Sequence, residues 1–180
     1  MFRVQLSRHG SKKDQKLRAK GHPQRALAAT LLPVQGDDEL ELDELWSFVG
    51  CKANRVWIWV ALCRRTRQVV AWMWGDRSKY TCESLWAKVS AMYKNCPCYA
   101  DGCEAYDCVV PAEQLHQQEK KGPTNHLERF NLTLRQRLAR FTRKTLAFSK
   151  SLFMHIVSLR LFFLRYNTEQ AAKYNLSLPT

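Results

Sequence analysis

Three apolar runs in quick succession constrain this chain more than any other feature. Leu40 to Gly50, Arg55 to Arg64 and Gln68 to Gly75 are dense in β-branched and aromatic residues, as in Val56-Trp57-Ile58-Trp59-Val60-Ala61-Leu62 and Val69-Val70-Ala71-Trp72-Met73-Trp74. Only short polar joints, Cys51 to Asn54 and Arg65 to Arg67, separate them, and joints that short predict hairpins between neighbouring strands. The opening is thus an antiparallel meander. Thr81 to Asn95 changes to helical spacing, with Leu85, Trp86, Val89 and Met92 on one side and Pro97 as terminator. A short strand, Cys98 to Asp101, follows and stops at Gly102; Val109-Val110 is a further strand candidate and Glu119 to Pro123 a loop. An apolar stripe of Leu127, Phe130, Leu134, Leu138 and Phe141 marks a helix from about Asn125 to Lys144, and a second is expected over Lys150 to Tyr166.

Three strands, a helix, a strand and closing helices form the pattern of an RNase H-like α/β fold with a mixed sheet. In such a sheet the first strand is central and the fourth lies beside it. With 180 residues, 46% of them hydrophobic, the chain has material for one real core. Residues 39–180 are read as that domain. Residues 1–38, broken by Gly10, Gly21, Pro23 and Pro33, are read as a basic arm or linker. Seven scattered cysteines do not resemble a secreted disulfide framework, which favours a reducing cytoplasm. Leu152 to Leu164 is interrupted by His155 and Arg160 and is too short to span a bilayer, so no membrane role is expected.

The charge is unevenly placed. A net charge of +13 favours polyanionic partners, nucleic acid first. Residues 36–50 carry six acids and no base, whereas residues 129–168 are basic without a single acid. Asp43 sits within the first apolar run, Asp101 ends the fourth strand, and Glu128 opens the basic helix. Three carboxylates on separate elements are a sufficient protein contribution to two divalent ions, Mg²⁺ or Mn²⁺, roughly 3.5–4 Å apart, which can activate the attacking and leaving oxygens of a phosphoryl displacement. Asp43 would bridge both ions, with Asp101 and Glu128 holding one each. Blander roles compete at each position. Asp43 could be a strand-end charge, with Glu44 as a rival on the opposite face; Asp101-Gly102 is a common turn pair; Asn125-x-x-Glu128 fits a capping box. On an ideal helix Glu128 and Arg135 point within about 20° of each other, roughly 10 Å apart along the axis, which suits a metal at one and a phosphate at the other. Arg129, Arg137, Arg140, Arg143, Lys144 and Lys150 extend that basic surface towards DNA. Cys96, Cys98, Cys103 and Cys108 lack the paired spacing of a zinc ribbon.

From Glu128-Arg129-Phe130-Asn131 through Arg140-Phe141-Thr142-Arg143-Lys144 to Ser149-Lys150-Ser151 the chain closely resembles the transposases of the Insertion Sequence One family, in their catalytic second reading frame. The similarity extends back through Tyr99-Ala100-Asp101-Gly102, Arg67 to Ala71 and Leu42 to Gly50, covering about residues 39–165. The resemblance implies a DDE catalytic domain that cuts and joins DNA at element ends and in target DNA. It carries the triad to Asp43, Asp101 and Glu128 and the following basic position to Arg135. It also implies a homo-oligomer at the nucleoid and fusion to an upstream-frame DNA-binding protein, whose zinc finger and helix-turn-helix are not visible here. Two alternatives stay open: an RNase H-like nuclease without strand transfer, and an inactive DNA-binding remnant.

Overall fold

The computed structural model describes residues 23–117, 124–142, 144 and 146–177. The first 22 residues of the expected arm, the expected loop Glu119 to Pro123, and Arg143 lie outside the described residues. Strands β1 (Leu40–Val49), β2 (Cys51–Cys63) and β3 (Val69–Gly75) form the meander. Helix α1 (Pro23–Ala28) precedes them; α2 (Lys79–Trp86), β4 (Cys98–Ala100), α3 (Glu104–Asp107), β5 (Leu115–Gln117), α4 (Asn125–Arg137) and α5 (Leu152–Ser177) follow. The sheet is mixed, in the order β3-β2-β1-β4-β5. β1 runs antiparallel to β2, with Leu40 opposite Cys63 and Phe48 opposite Arg55, and parallel to β4, with Leu42 opposite Ala100. The first strand is therefore central and the fourth lies beside it. Gly50 takes a left-handed φ of 76° at the β1–β2 turn, a conformation most readily adopted by glycine.

Both faces of the sheet are covered, which is why β2 and β3 read as continuous apolar runs rather than alternating ones. On one face Leu45, Ile58, Val60, Trp72 and Trp74 pack with Leu127, Phe130 and Leu134 of α4 and Leu159 and Phe163 of α5. On the other, Leu40, Leu42, Trp59, Ala61 and Met73 pack with Leu85 of α2, Tyr93 and Tyr106. Gly75 is needed where β3 meets α2, since a Cβ there would lie 2.6 Å from Thr81 Oγ1. Residues 23–38 join this body: Leu27 is buried, Thr30 O accepts from Gln68 Nε2 at 2.7 Å, and Arg65 embraces Asp38.

Several element boundaries differ from those the sequence suggests. The expected Thr81–Asn95 helix ends at Trp86, where Lys88 N and Val89 N turn to the carbonyls of Leu85 and Trp86; a 3₁₀ turn, Ala91–Tyr93, follows. This shift buries Tyr93 and leaves Met92 66% exposed, so the larger aromatic wins the core position. α4 stops at Arg137 because Leu138 is extended, which lets Phe141 in a second 3₁₀ turn reach the core. Val109-Val110 belongs to the turn after α3. β5, three residues long, is too short to show a period. α5 runs well past Tyr166, since no Gly or Pro interrupts residues 152–177. The extension places buried Asn167 against the start of edge strand β3, where its Oδ1 accepts from Val69 N at 2.7 Å and its Nδ2 donates to Val69 O at 2.9 Å.

One buried carboxylate sets the seating of α4. Glu41 Oε2 accepts from Leu127 N at 2.7 Å, in the first turn of the helix, while Oε1 accepts from Arg64 Nε at 3.0 Å. The helix has no capping side chain of its own at Thr124, so β1 supplies the acceptor and a negative charge at the positive end of the helix dipole. Farther along, Asp43 meets Asn131, and Trp46 O accepts from Arg135 Nη2. Helix and strand thus advance together. Glu41→Ala should leave Leu127 N–H and the Nε of Arg64 without their acceptor, although Arg64 Nη1 keeps Glu39. We expect a loss on the order of 2–4 kcal/mol, read as a fall in melting temperature of roughly 5–10 °C by circular dichroism. An unchanged melt would remove Glu41 from this role.

Candidate metal centre

Asp43 and Asp101 come together although 57 residues separate them in sequence. β4 pairs with β1 as far as Ala100 opposite Leu42, so the next residue of each strand, Asp101 and Asp43, stands at the point where their pairing ends. Alternation along β1 sends Glu44 to the α2 side, but its carboxylate still joins the group. One ligand oxygen each from Asp43, Glu44 and Asp101 lies within 4.8 Å of the others. Hard oxygen donors at that spacing fit a divalent cation such as Mg²⁺ or Mn²⁺.

The three carboxylates differ in their commitments. Glu44 is buried, and both its oxygens are engaged: Oε1 accepts from Arg77 Nε at 2.6 Å and Oε2 from the Tyr106 hydroxyl at 3.0 Å. Asp101 Oδ1 accepts a long bond from Cys103 N at 3.3 Å, so the expected turn role and membership of the acidic group coexist. Asp43 Oδ1 accepts from Glu44 N and Oδ2 from Asn131 Nδ2, both at 2.8 Å. Burial, followed by the neighbouring charge of Glu44, pushes the Asp43 carboxyl up to about 7, with Asp101 adding to the rise and Asn131 opposing it. Burial and Asp101 likewise raise Glu44 against the pull of Arg77 and Tyr106. Concentrated negative charge without an ion is a cost that a divalent cation would relieve.

Glu128 stands outside that group. It lies exposed in the first turn of α4, and the capping-box alternative is not realised: Asn125 is already helical, Thr124 holds the cap position, and the first-turn acceptor is Glu41. No capping duty therefore occupies its carboxylate. Asn131, three residues on, donates inward to Asp43, whereas Glu128 lines a cavity with Arg67, Arg129 and Lys173. Sequence reasoning missed Asn131 and Arg77, and no spacing signal marks either; each is found only through its partner across the fold. Glu41, hidden among the acids of residues 36–50, was missed for the same reason.

The expected DNA-contacting residues fall into three sets. Arg129, Lys144 and Lys150 are exposed and Arg140 is half-buried. Arg137 pairs with Glu169 of α5. Arg135 donates to the carbonyls of Phe141 and Trp46, which ties the 3₁₀ turn to β1. No helix among the described residues is long and apolar enough to cross a membrane.

Residues 39–166 match the family described as IS1 transposase. Over 115 residues, 64% of this chain, the sequence is 39% identical to the insertion element iso-IS1n protein InsB of Shigella dysenteriae, covering 86% of that protein. It is 40% identical over the same length to the IS1 protein InsB of Shigella flexneri, covering 86% of it. An InsB protein of IS1 from Escherichia coli (strain K12) is 37% identical, with 67% of it covered.

The electrostatics of Asp43 give a signed prediction. Its folded-state value, about 7, lies above its unfolded one, so the metal-free protein is favoured while Asp43 is protonated and loses that stability as pH rises from about 4 towards 7, by on the order of 1–3 kcal/mol. Asp43→Asn should flatten this decline and raise the melting temperature in EDTA at pH 8. Mg²⁺ should stabilise the parent and not the variant. Melts that ignore both the substitution and the ion would contradict the metal assignment.

Proposed function

The chain belongs to the IS1 transposase family, and from that membership and the meeting of Asp43 with Asp101 we propose that it is the catalytic part of a DNA transposase with an RNase H-like fold. The reaction is cleavage of the phosphodiester at an insertion-sequence end, followed by transfer of the freed 3′ hydroxyl to target DNA. The observation that carries this reading is the convergence of the two aspartates, from β1 and the end of β4, beside a helix whose first turn presents an uncommitted Glu128. The central position of β1 and the place of β4 next to it support the RNase H-like assignment.

Asp43, Asp101 and Glu128 are the residues that would hold the metal, two ions of Mg²⁺ or Mn²⁺. Bound there, such ions supply Lewis-acid activation of the attacking oxygen and charge neutralisation at the leaving oxygen. Asn131 fixes the Asp43 carboxylate through its amide N–H. Glu44, already held by Arg77 and Tyr106, supports the pocket from below the sheet and adds negative charge to it. Arg129, Arg140, Arg143, Lys144 and Lys150 bind the DNA backbone, joined by Arg137; Arg135 orders the end of α4 so that this surface is presented. Element-end recognition comes from an upstream-frame DNA-binding protein fused to this one, and the working form at the nucleoid is a homo-oligomer.

Asp101→Asn and Glu128→Gln should each abolish strand cleavage, by a factor of at least about 10², while nonspecific DNA binding persists. Glu44→Gln should retain measurable cleavage. Unchanged cleavage with Asp101→Asn would refute the assignment, and an active Glu128→Gln with a dead Glu44→Gln would move the third role to Glu44. Strand-transfer products from a precleaved end separate a transposase from a simple nuclease.

A further inference from the structure

A second site borders α4 beside Glu128. A cavity of about 990 Å³ opens between α4, the C-terminal half of α5 and the β2–β3 turn, and its lining includes Arg67, Arg129, Arg137, Tyr166 and Lys173. Glu128 is the one carboxylate among the described lining residues. Arg137 is neutralised by Glu169, which leaves Arg67, Arg129 and Lys173, from three different elements, as the cations of the cavity.

Arg67 bears two costs at once. Its backbone is left-handed, with φ of 60°, a conformation that favours glycine. Its Nη1 is shut off from solvent and has no hydrogen-bond partner among the described residues. A buried, unsatisfied guanidinium N–H and a strained backbone at one residue are both features that persist when a ligand makes use of them. Its charge also helps to hold buried Glu41 ionised, but that Coulombic role leaves Nη1 without an acceptor. A guanidinium with an open donor, beside a lysine and a second arginine, matches a phosphate oxyanion.

We propose that this cavity is a seat for a DNA backbone phosphate, with Arg67 at its base and Arg129 and Lys173 on its walls. The identity of the anion rests on the transposase reading; the site itself rests on the cavity and the open guanidinium. Glu128 lines the same cavity, so a phosphate held here lies next to the residue proposed to complete the metal centre.

The test is fluorescence anisotropy of a fluorescein-labelled DNA duplex with the full chain, in EDTA so that no cleavage intervenes, over about 50–200 mM salt. Arg67→Gly relieves the left-handed backbone but removes a charge near buried Glu41, and should bind roughly 5- to 10-fold more weakly at about 0.1 M salt, with the log–log salt slope reduced by about 1. Lys173→Gln should show a similar loss, and it carries the decision should Arg67→Gly fail to fold. Arg160→Gln, exposed on α5 away from the cavity, should keep the parent affinity. Parent-like slopes for both pocket variants would overturn the proposal, as would an equal loss with Arg160→Gln. Cleavage plays no part in this readout, so failure here leaves the carboxylate assignment standing, and active Asp101→Asn enzyme would leave this result standing.

Discussion

The geometry of the site depends on a carboxylate with no part in its chemistry. Glu41 is fully buried between Arg64 and the first turn of α4, and burial pushes its carboxyl up while Leu127 N–H and Arg64 pull it back. A buried charge is tolerable only with such partners. Its strength lies in what it specifies: a helix pinned by its start to one residue of a central strand has little freedom to slide or rotate. From that anchor the later pairings follow, Asn131 against Asp43 and Arg135 against the Trp46 carbonyl.

This anchoring explains why an acidic cluster can exist in the middle of a sheet. Asp43, Glu44 and Asp101 repel one another, and other elements compensate two of them: Asn131 of α4 meets Asp43, while Arg77 from the stretch after β3 and Tyr106 of α3 meet Glu44. The compensation is partial, which leaves Asp43 poised between its charged and neutral forms near neutral pH. A site built this way is ready to exchange protons for metal ions.

Much of the fold was legible in the sequence because its signals were strong and local. The meander showed through three apolar runs and their short joints, and the central place of β1 came from element order. Boundaries were less legible, since Tyr93 and Phe141 buy their burial by breaking helices that periodicity alone would extend. The site was half legible. An aspartate inside an apolar strand stands out, as does one at a strand end, but Glu44 joining from the other face depends on where β4 stops. Glu128 was visible as a candidate ligand with a capping box as its rival, while its distance from the aspartate pair depends on helix rotation that no spacing encodes. Asn131 carried no signal because an asparagine in a polar helix face is unremarkable until its neighbour is known.

Asn167 has a consequence for assembly. By satisfying both backbone groups of Val69, it seals the beginning of β3, and open strand margins are the usual places where one molecule zips onto another. Copies of this chain are therefore steered away from continuous ribbons at that margin.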